Sequence, residues 1–437
     1  MRERKPLVVL ASRIYAPEAA AATFRLSALV RALTDRARVR VLTTTPPPAL
    51  RPPRSTLRGV QGNPARRSVG GEGQQEEGRA SAAGVEVSRW PVLRDATGYV
   101  RGYLPYLSFD LPLALRLFTG PRPDVVVVEP PPTTGAVTRV ALALRGGIHG
   151  RGIPYVYYAA DVWSDATASM GAPAPVVQVM RLLETFALRG ARDVIAVSDG
   201  VAERVRALAG PAAPVTVVPN GIDTDVFTPD GEVHADAPET AYLVYAGTAS
   251  EWQGAEVFAE AMRAVVREVP HARLVFLGQG SSWPALQRIA GELPVGAIEL
   301  RPLVPPEEAA PWQRGAAAAL VGVRPGVGYD FAYPTKVVAA LACGAPVVFA
   351  GPGPAAADVR DHGLGAAVEH EPGAVAAAMV AALRASPDEQ ERARRVEWVR
   401  EHRSLSATGE GAARIVLEAG LSGPGGRLPP WDRSTTS

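Results

Sequence analysis

The sequence predicts an α/β protein of two domains, each a parallel sheet wrapped by helices, with a cleft between them. Three observations carry this expectation. Short runs of Val, Ile and Leu, of a length suited to buried strands, alternate with segments of helical spacing. The alternation breaks at 234–240 and restarts at the same pitch. Finally, 437 residues are more than one ordinary core accommodates.

The elements follow in order. PLVVLA (6–11) reads as a buried strand, 23–33 as a helix through Phe24, Leu26, Leu29, Val30 and Leu33, and VRVLT (39–43) as the next strand. Strand, helix, strand at this spacing is the parallel crossover unit. Residues 44–84 interrupt it with prolines, arginines and GGEGQQEEG, a composition that cannot bury a core and predicts a disordered surface insertion. Residues 85–92 alternate as a strand, 99–118 form an aromatic-rich helix, and DVVVV (124–128) is a buried strand that runs into Glu129 and three prolines. A helix at 133–144, the strand PYVYYA (154–159), a helix at 176–189, DVIAVS (193–198) and a strand with its exit turn at 215–225 complete this half. In the second half, strands at 242–246, 273–277 and 298–300 alternate with helices at 255–266, 283–291 and 306–314. Helices at 373–385, 389–403 and 407–419 close it. The expected boundaries are 1–230 for the first domain and 240–403 for the second. A C-terminal helix at 404–420 is a candidate to pack back on the first domain, and 421–437 is a Gly/Pro/Ser tail expected to be disordered.

Composition excludes several functions. With 46 Lys plus Arg against 44 Asp plus Glu, a net charge of +2 gives no electrostatic case for nucleic acid as a partner. Cys343 is the single cysteine, which rules out an intrachain disulfide and a cysteine zinc site and suits a reducing compartment. The six histidines are scattered without metal-ligand spacing. No run reaches the ~18–20 apolar residues that span a bilayer. No charged-then-apolar leader is seen at the start. The expectation is a cytoplasmic protein without a membrane span, its contact with membranes limited to peripheral docking. The Arg-rich, Lys-poor composition suits a bacterium with GC-rich DNA.

The chain is organised around LVGVRPGVGYDFAYPTKVVAALACGAPVVFA (320–350). A buried strand leads into the glycine turn Arg324-Pro325-Gly326-Val327-Gly328, then Tyr329-Asp330-Phe331-Ala332-Tyr333, and Pro334-Thr335 open a helix with the Thr hydroxyl or the preceding turn available as a cap. Free amides and the positive end of a helix dipole make this an anion site in outline. Only two of the 46 cations are lysines, Lys5 and Lys336. Lys336 sits in the first helical turn, where the dipole disfavours a cation unless a phosphate binds there too. A snorkelling surface lysine is the competing reading. Two further clusters stand at strand ends, where open α/β sheets place ligands: Glu129 after 124–128, and Asp161, Trp163 and Asp165 after 154–159, with helix capping as the alternative role.

Eight segments in order resemble the retaining glycosyltransferases of the GT-B fold, family 4. They are YAPEAAAATFRL (15–26), DVVVVEPPPTTG (124–135), YYAADVWSDAT (157–167), RLLETFALRGARDVIAVSDGV (181–201), VTVVPNGIDTDVFTPD (215–230), YAGTASEWQG (245–254), VFLGQG (275–280) and YPTKVVAALACGAPVV (333–348). The resemblance implies two Rossmann-like domains facing a central cleft, an acceptor-side first domain, and a second domain that binds a nucleoside diphosphate sugar. The implied reaction moves the sugar with retention at the anomeric carbon, uses no cofactor and needs no metal. It implies donor contacts from Gly247, Thr248, Gln253, Gln279, Gly280, Leu303, Val304, Gly326, Gly328, Tyr329, Asp330, Tyr333, Thr335 and Lys336. On the acceptor side it implies Asp161 and the loop that holds Glu18, Ala20 and Ala21, beside the strand-end candidates Glu129, Trp163 and Asp165. Lys336 and Asp161 are the implied catalytic pair: Lys336 to stabilise the departing diphosphate, Asp161 to orient acceptor or sugar.

The sequence departs from that pattern in three residue pairs. Ala20-Ala21 replaces a glycine pair, Thr248 and Gln253 stand where an Arg and a Lys grip the diphosphate, and Phe331 and Ala339 stand where two Glu residues are expected. Ala339 cannot accept a hydrogen bond from a ribose hydroxyl, which leaves the nucleotide open, and Asp330, beside the first expected Glu position, is the candidate for sugar hydroxyl binding. Asp223-Thr224-Asp225 has the spelling of a metal-binding D-x-D but lacks its context. The acceptor class stays open between lipid-linked sugars, polysaccharide ends and small natural products. The rival functions are a catalytically reduced sugar-nucleotide-binding partner subunit and a dinucleotide oxidoreductase. No G-x-G-x-x-G follows the first strand, which counts against the latter.

Overall fold

The computed structural model describes residues 4–18, 21–47, 85–94, 100, 103–149, 152–169 and 172–421. The expected insertion from 48 onward, the tail from 422 and Ala20 lie outside the described residues. The chain divides into two compact units, Met1–Val218 joined by the stretch from Gly409, and Pro219–Thr408.

The first unit is built on seven parallel strands: β1 (Leu7–Ala11), β2 (Arg38–Thr44), β3 (Val85–Trp90), β4 (Val125–Val128), β5 (Tyr155–Ala159), β6 (Asp193–Ala196) and β7 (Val215–Val217). Their spatial order is β3-β2-β1-β4-β5-β6-β7. The central strands are fully apolar because both faces are covered, as parallel sheets require. On one face, α2 (Tyr103–Thr119), α3 (Pro132–His149), α5 (Ala174–Gly190) and α6 (Asp199–Ala209) bury Phe109, Leu113, Leu142, Leu188 and Val205 against Val126, Tyr157 and Val194. On the other, α1 (Ala21–Leu33) sets Leu26, Leu29 and Leu33 against Val8, Leu10 and Val127, together with Ala412, Ile415 and Val416 from the chain's last helix. A short helix, α4 (Trp163–Ser169), precedes α5.

The second unit has six parallel strands: β8 (Tyr242–Thr248), β9 (Arg273–Gln279), β10 (Ile298–Arg301), β11 (Ala318–Gly322), β12 (Val347–Ala350) and β13 (Gly365–Val368), in the order β10-β9-β8-β11-β12-β13. Its helices are α7 (Glu256–Glu268), α8 (Trp283–Gly291), α9 (Pro306–Arg314), α10 (Thr335–Ala342), α11 (Pro354–Asp361), α12 (Pro372–Arg384) and α13 (Glu389–His402), and α14 (Leu405–Leu421) follows. In both sheets the order reverses beside the first strand, between β1 and β4 and between β8 and β11. That reversal opens a crevice at the carboxyl ends of the strands, the place where doubly wound sheets take ligands.

Among the described α-helices and strands, four escape the periodicity reading: α4, α6, α11 and β13. α6 is short and capped by Ser198, whose hydroxyl accepts the amide of Val201 at 3.3 Å. α11 and β13 are built from Ala, Gly and Val, too small to give a periodic apolar signal. No helix among the described residues is long and apolar enough to cross a membrane.

Candidate active site

In the second unit the carboxyl ends of β8, β9 and β11 meet at the switch point. Gly247 and Thr248 pair with Gly278 and Gln279 there, and Lys336 arrives from the first turn of α10. Its Nζ donates to the carbonyl of Thr248 at 2.6 Å and to the Tyr245 hydroxyl at 3.3 Å, and lies 4.9 Å from the centroid of the Tyr245 ring. Among the described residues no carboxylate forms an ion pair with it. Burial pushes its pKa down to about 7, the response of an ammonium held away from water without a countercharge. Gly247 makes room for this arrangement. Its φ is +116°, and a Cβ there would stand 2.8 Å from Lys336 Cε. Gly247→Ala is expected to cost about 1–3 kcal/mol in a denaturation experiment and to displace the amine, weakening nucleotide binding in a titration of the same protein.

α10 starts at Thr335 with Pro334 as N-cap and no side-chain cap. The expected Thr335 hydroxyl cap is absent because Thr335 is already helical, one position too late to serve. The first-turn amides are therefore uncapped by any side chain, as an anion site requires. Ahead of them, Gly326 (φ 74°) and Gly328 (φ 84°) turn the loop through left-handed backbone with open space around both.

The remaining donor-side candidates separate into two groups. Thr248, Gln279, Gly280, Leu303 and Val304 stand at or just past the carboxyl ends of β8, β9 and β10, and Gln279 and Leu303 are exposed. Others are engaged by the protein itself. The Gln253 side chain is buried and accepts from the Ser250 amide and hydroxyl, both at 3.1 Å, which fixes its own 3-10 turn. Asp330 accepts the Gly326 amide at 3.1 Å and closes the glycine loop. Tyr329 stacks on Trp252 at 5.1 Å. Tyr333 donates to Asp358 at 2.8 Å beneath the Arg403 guanidinium, which also donates to Asp358 at 2.8 Å. Ala339 is buried in the unit's core, while Phe331 is exposed.

In the first unit the acceptor-side candidates mostly hold structure. Glu129, at the end of β4, is buried in an ion pair with Arg25 and accepts from the Ser12 hydroxyl at 3.0 Å. Glu18 pairs with Arg94 through contacts of 3.1 and 3.2 Å. Asp165 takes both nitrogens of the Arg204 fork, at 2.6 and 2.8 Å. The capping role offered to Asp161 and Asp165 belongs instead to Glu184. Buried on α5, Glu184 accepts the amides of Trp163 and Ser164 at 2.8 and 2.9 Å and so starts α4. Asp161 accepts the Val162 amide at 2.8 Å, and partial burial, with Asp165 nearby, raises its pKa above the usual carboxylate value. Ala21 opens α1.

Sequence reasoning passed over Arg13. It is buried at the end of β1, 4.3 Å from the centroid of the Tyr106 ring and 5.6 Å from that of Trp163, and it donates to the Val100 carbonyl at 3.1 Å. Its Nε, the Oδ2 of buried Asp110 and the hydroxyl of Tyr157 have no hydrogen-bond partner among the described residues. A charged residue two positions past an all-apolar strand was the available signal. Asp223 accepts the amide of Asp225 at 3.0 Å, so its carboxylate shapes its own turn.

Residues 25–226 match the family described as Glycosyltransferase Family 4, and residues 240–385 match the family described as Glycosyl transferases group 1. The chain belongs to the family 4, group 1 glycosyltransferases. No protein of curated function matches this glycosyltransferase in sequence. Among solved structures it is similar to HepE of Anabaena in complex with UDP and glucose, at 15% identity and a TM-score of 0.59, covering 94% of this chain and 100% of that one. Sucrose-phosphate synthase of Thermosynechococcus elongatus is similar at 14% identity and 0.61, over 94% and 98% of the two chains. WaaG, a glycosyltransferase involved in lipopolysaccharide biosynthesis, is similar at 14% identity and 0.59, over 94% and 99%. The two Rossmann-like sheets of this glycosyltransferase are those of the GT-B fold. Its switch-point lysine lies within the group 1 match.

Proposed function

We propose that this glycosyltransferase moves a sugar from a nucleoside diphosphate donor to an acceptor hydroxyl with retention at the anomeric carbon, and that Lys336 stabilises the departing diphosphate. The carrying observation is the half-buried ammonium of Lys336, without a countercharge among the described residues, beside the uncapped amides of α10 at the sheet's switch point. A diphosphate supplies the missing charge to both. Because the charge on the leaving oxygen grows as the glycosidic C–O bond breaks, donors fixed there favour the transition state over the bound donor. The acceptor oxygen forms its new bond on the same face of the sugar, and its proton passes to the departing phosphate oxygen, so the chain needs no dedicated base. Asp161 orients the acceptor or sugar, its raised pKa suiting a hydroxyl partner. Thr248, Gln279 and the backbone at Leu303 and Val304 frame the nucleotide. No metal takes part.

UDP and glucose bound to HepE support uridine diphosphate sugars as the first donors to test. The reading predicts that nucleoside diphosphate is released slowly from one class of nucleotide sugar in the presence of EDTA, with water as surrogate acceptor, and that the anomeric configuration seen by NMR is that of the donor. Binding of UDP, GDP, ADP or dTDP without turnover on any sugar would instead favour the partner-subunit reading. Loss of turnover in EDTA would reinstate a metal.

A further inference from the structure

The helices on one face of the first unit's sheet present to solvent a surface that the fold does not use. α2 is apolar all round. Phe109, Leu113 and Leu117 face the core, while Leu104, Leu107, Leu111, Leu115 and Phe118 recur every three or four residues along its outer side, 41–68% exposed. A helix on a water-facing surface carries polar residues there. α3 packs beside α2 and adds exposed Val140 and Leu144. α5 packs beside α3 and adds exposed Leu182 and Phe186. Arg139 of α3 lies over the Phe186 ring at 4.1 Å, which joins the two strips. Scattered single apolar residues are normal on a surface; a band across three helices marks an interaction site.

The exposed charge on these three helices has one sign, whereas the neighbouring α6 adds exposed Asp199 and Glu203. α2, α3 and α5 contain two carboxylates, Asp110 and Glu184, and both are buried. Every other formal charge on them is an arginine, in a chain whose charges otherwise balance almost evenly. Just past the end of α2, Arg4, Lys5, Arg38 and Arg122 line an open recess.

We propose that this face docks on an anionic membrane surface. Its leucines and phenylalanines enter the boundary between headgroups and acyl chains, and its arginines meet lipid phosphates. A second copy of the chain fits less well, because a two-fold interface through α2, α3 and α5 would set Arg181 and Arg189 against helices whose two carboxylates are buried. The stretch 48–84 offers only Leu50, Leu57, Val60 and Val69 as large apolar side chains, too few to cover the band.

The test is flotation of the full chain with vesicles of equimolar phosphatidylglycerol and phosphatidylcholine, and with phosphatidylcholine alone. The expected result is flotation with the anionic vesicles, weakened by salt, and little with the neutral ones. The double variant Leu111→Glu/Leu115→Glu should bind anionic vesicles about tenfold less or worse, with unchanged circular dichroism and thermal midpoint. Leu111→Ser/Leu115→Ser, which adds no negative charge, should lose binding in the same direction. Absence of flotation with anionic vesicles, or equal flotation of both variants, overturns the proposal. So does a lipid-free dimer, seen by light scattering, that the same substitutions dissolve.

Discussion

Replacing Lys336 with Met should lower turnover by about 10²–10³-fold, the usual effect of removing one fixed donor to a developing oxyanion, and leave the fold intact. The variant should be at least as stable as the wild type near neutral pH. The reason is the price of burial: folding takes the Lys336 ammonium from water to a site where its pKa is about 7, against an ordinary value of 10.5. Between those two values the unfolded chain binds more protons than the folded one, so wild-type stability rises with pH across that window. A methionine does not titrate. The difference in thermal midpoint between wild type and Lys336→Met should therefore shift in favour of the wild type from about pH 7 upward. A variant that is both inactive and grossly unfolded at pH 7 would show that the lysine holds structure rather than ligand.

Glu129→Ala should destabilise the first unit by about 3–5 kcal/mol, the penalty for leaving one partner of a buried ion pair alone. Arg25 lies on the buried side of α1 with its guanidinium also over the Tyr158 ring at 5.0 Å, so water cannot readily replace the lost carboxylate. Arg25→Met/Glu129→Leu together should recover most of that loss, because two apolar side chains leave no charge stranded. Chemical denaturation of the three proteins checks both statements. A Glu129→Ala protein of wild-type stability and reduced activity would return Glu129 to the acceptor side.

The fold was legible in the sequence because its signal is redundant. Val125–Val128 and Tyr155–Ala159 have no polar residue to mislead, and strand and helix alternate through both halves. The site was less legible, because residue type does not reveal which partner a side chain chooses. Glu129, Glu18 and Asp165 stand at or near the strand ends where ligands bind, yet each is taken by an arginine distant in sequence: Arg25, Arg94 and Arg204. Gln253 and Asp330 are taken by amides three or four residues away, and only three-dimensional turn geometry shows it. Lys336 was legible because a second lysine in an arginine-rich chain is conspicuous at a helix start. Its partner Tyr245 was not, since a tyrosine inside an apolar strand reads as core.

The second unit is expected to bind a nucleoside diphosphate through the Lys336 ammonium. The most direct measurement is the dissociation constant of the tightest of UDP, GDP, ADP and dTDP, by calorimetry from pH 6.5 to 9, for wild type and Lys336→Met. Because the bound diphosphate raises the pKa of the amine, wild-type affinity should fall as pH rises above about 7, with proton uptake on binding near pH 8. The methionine variant should bind weakly, with no such fall. Equal affinities at every pH, or a wild type that binds none of the four, would contradict the account.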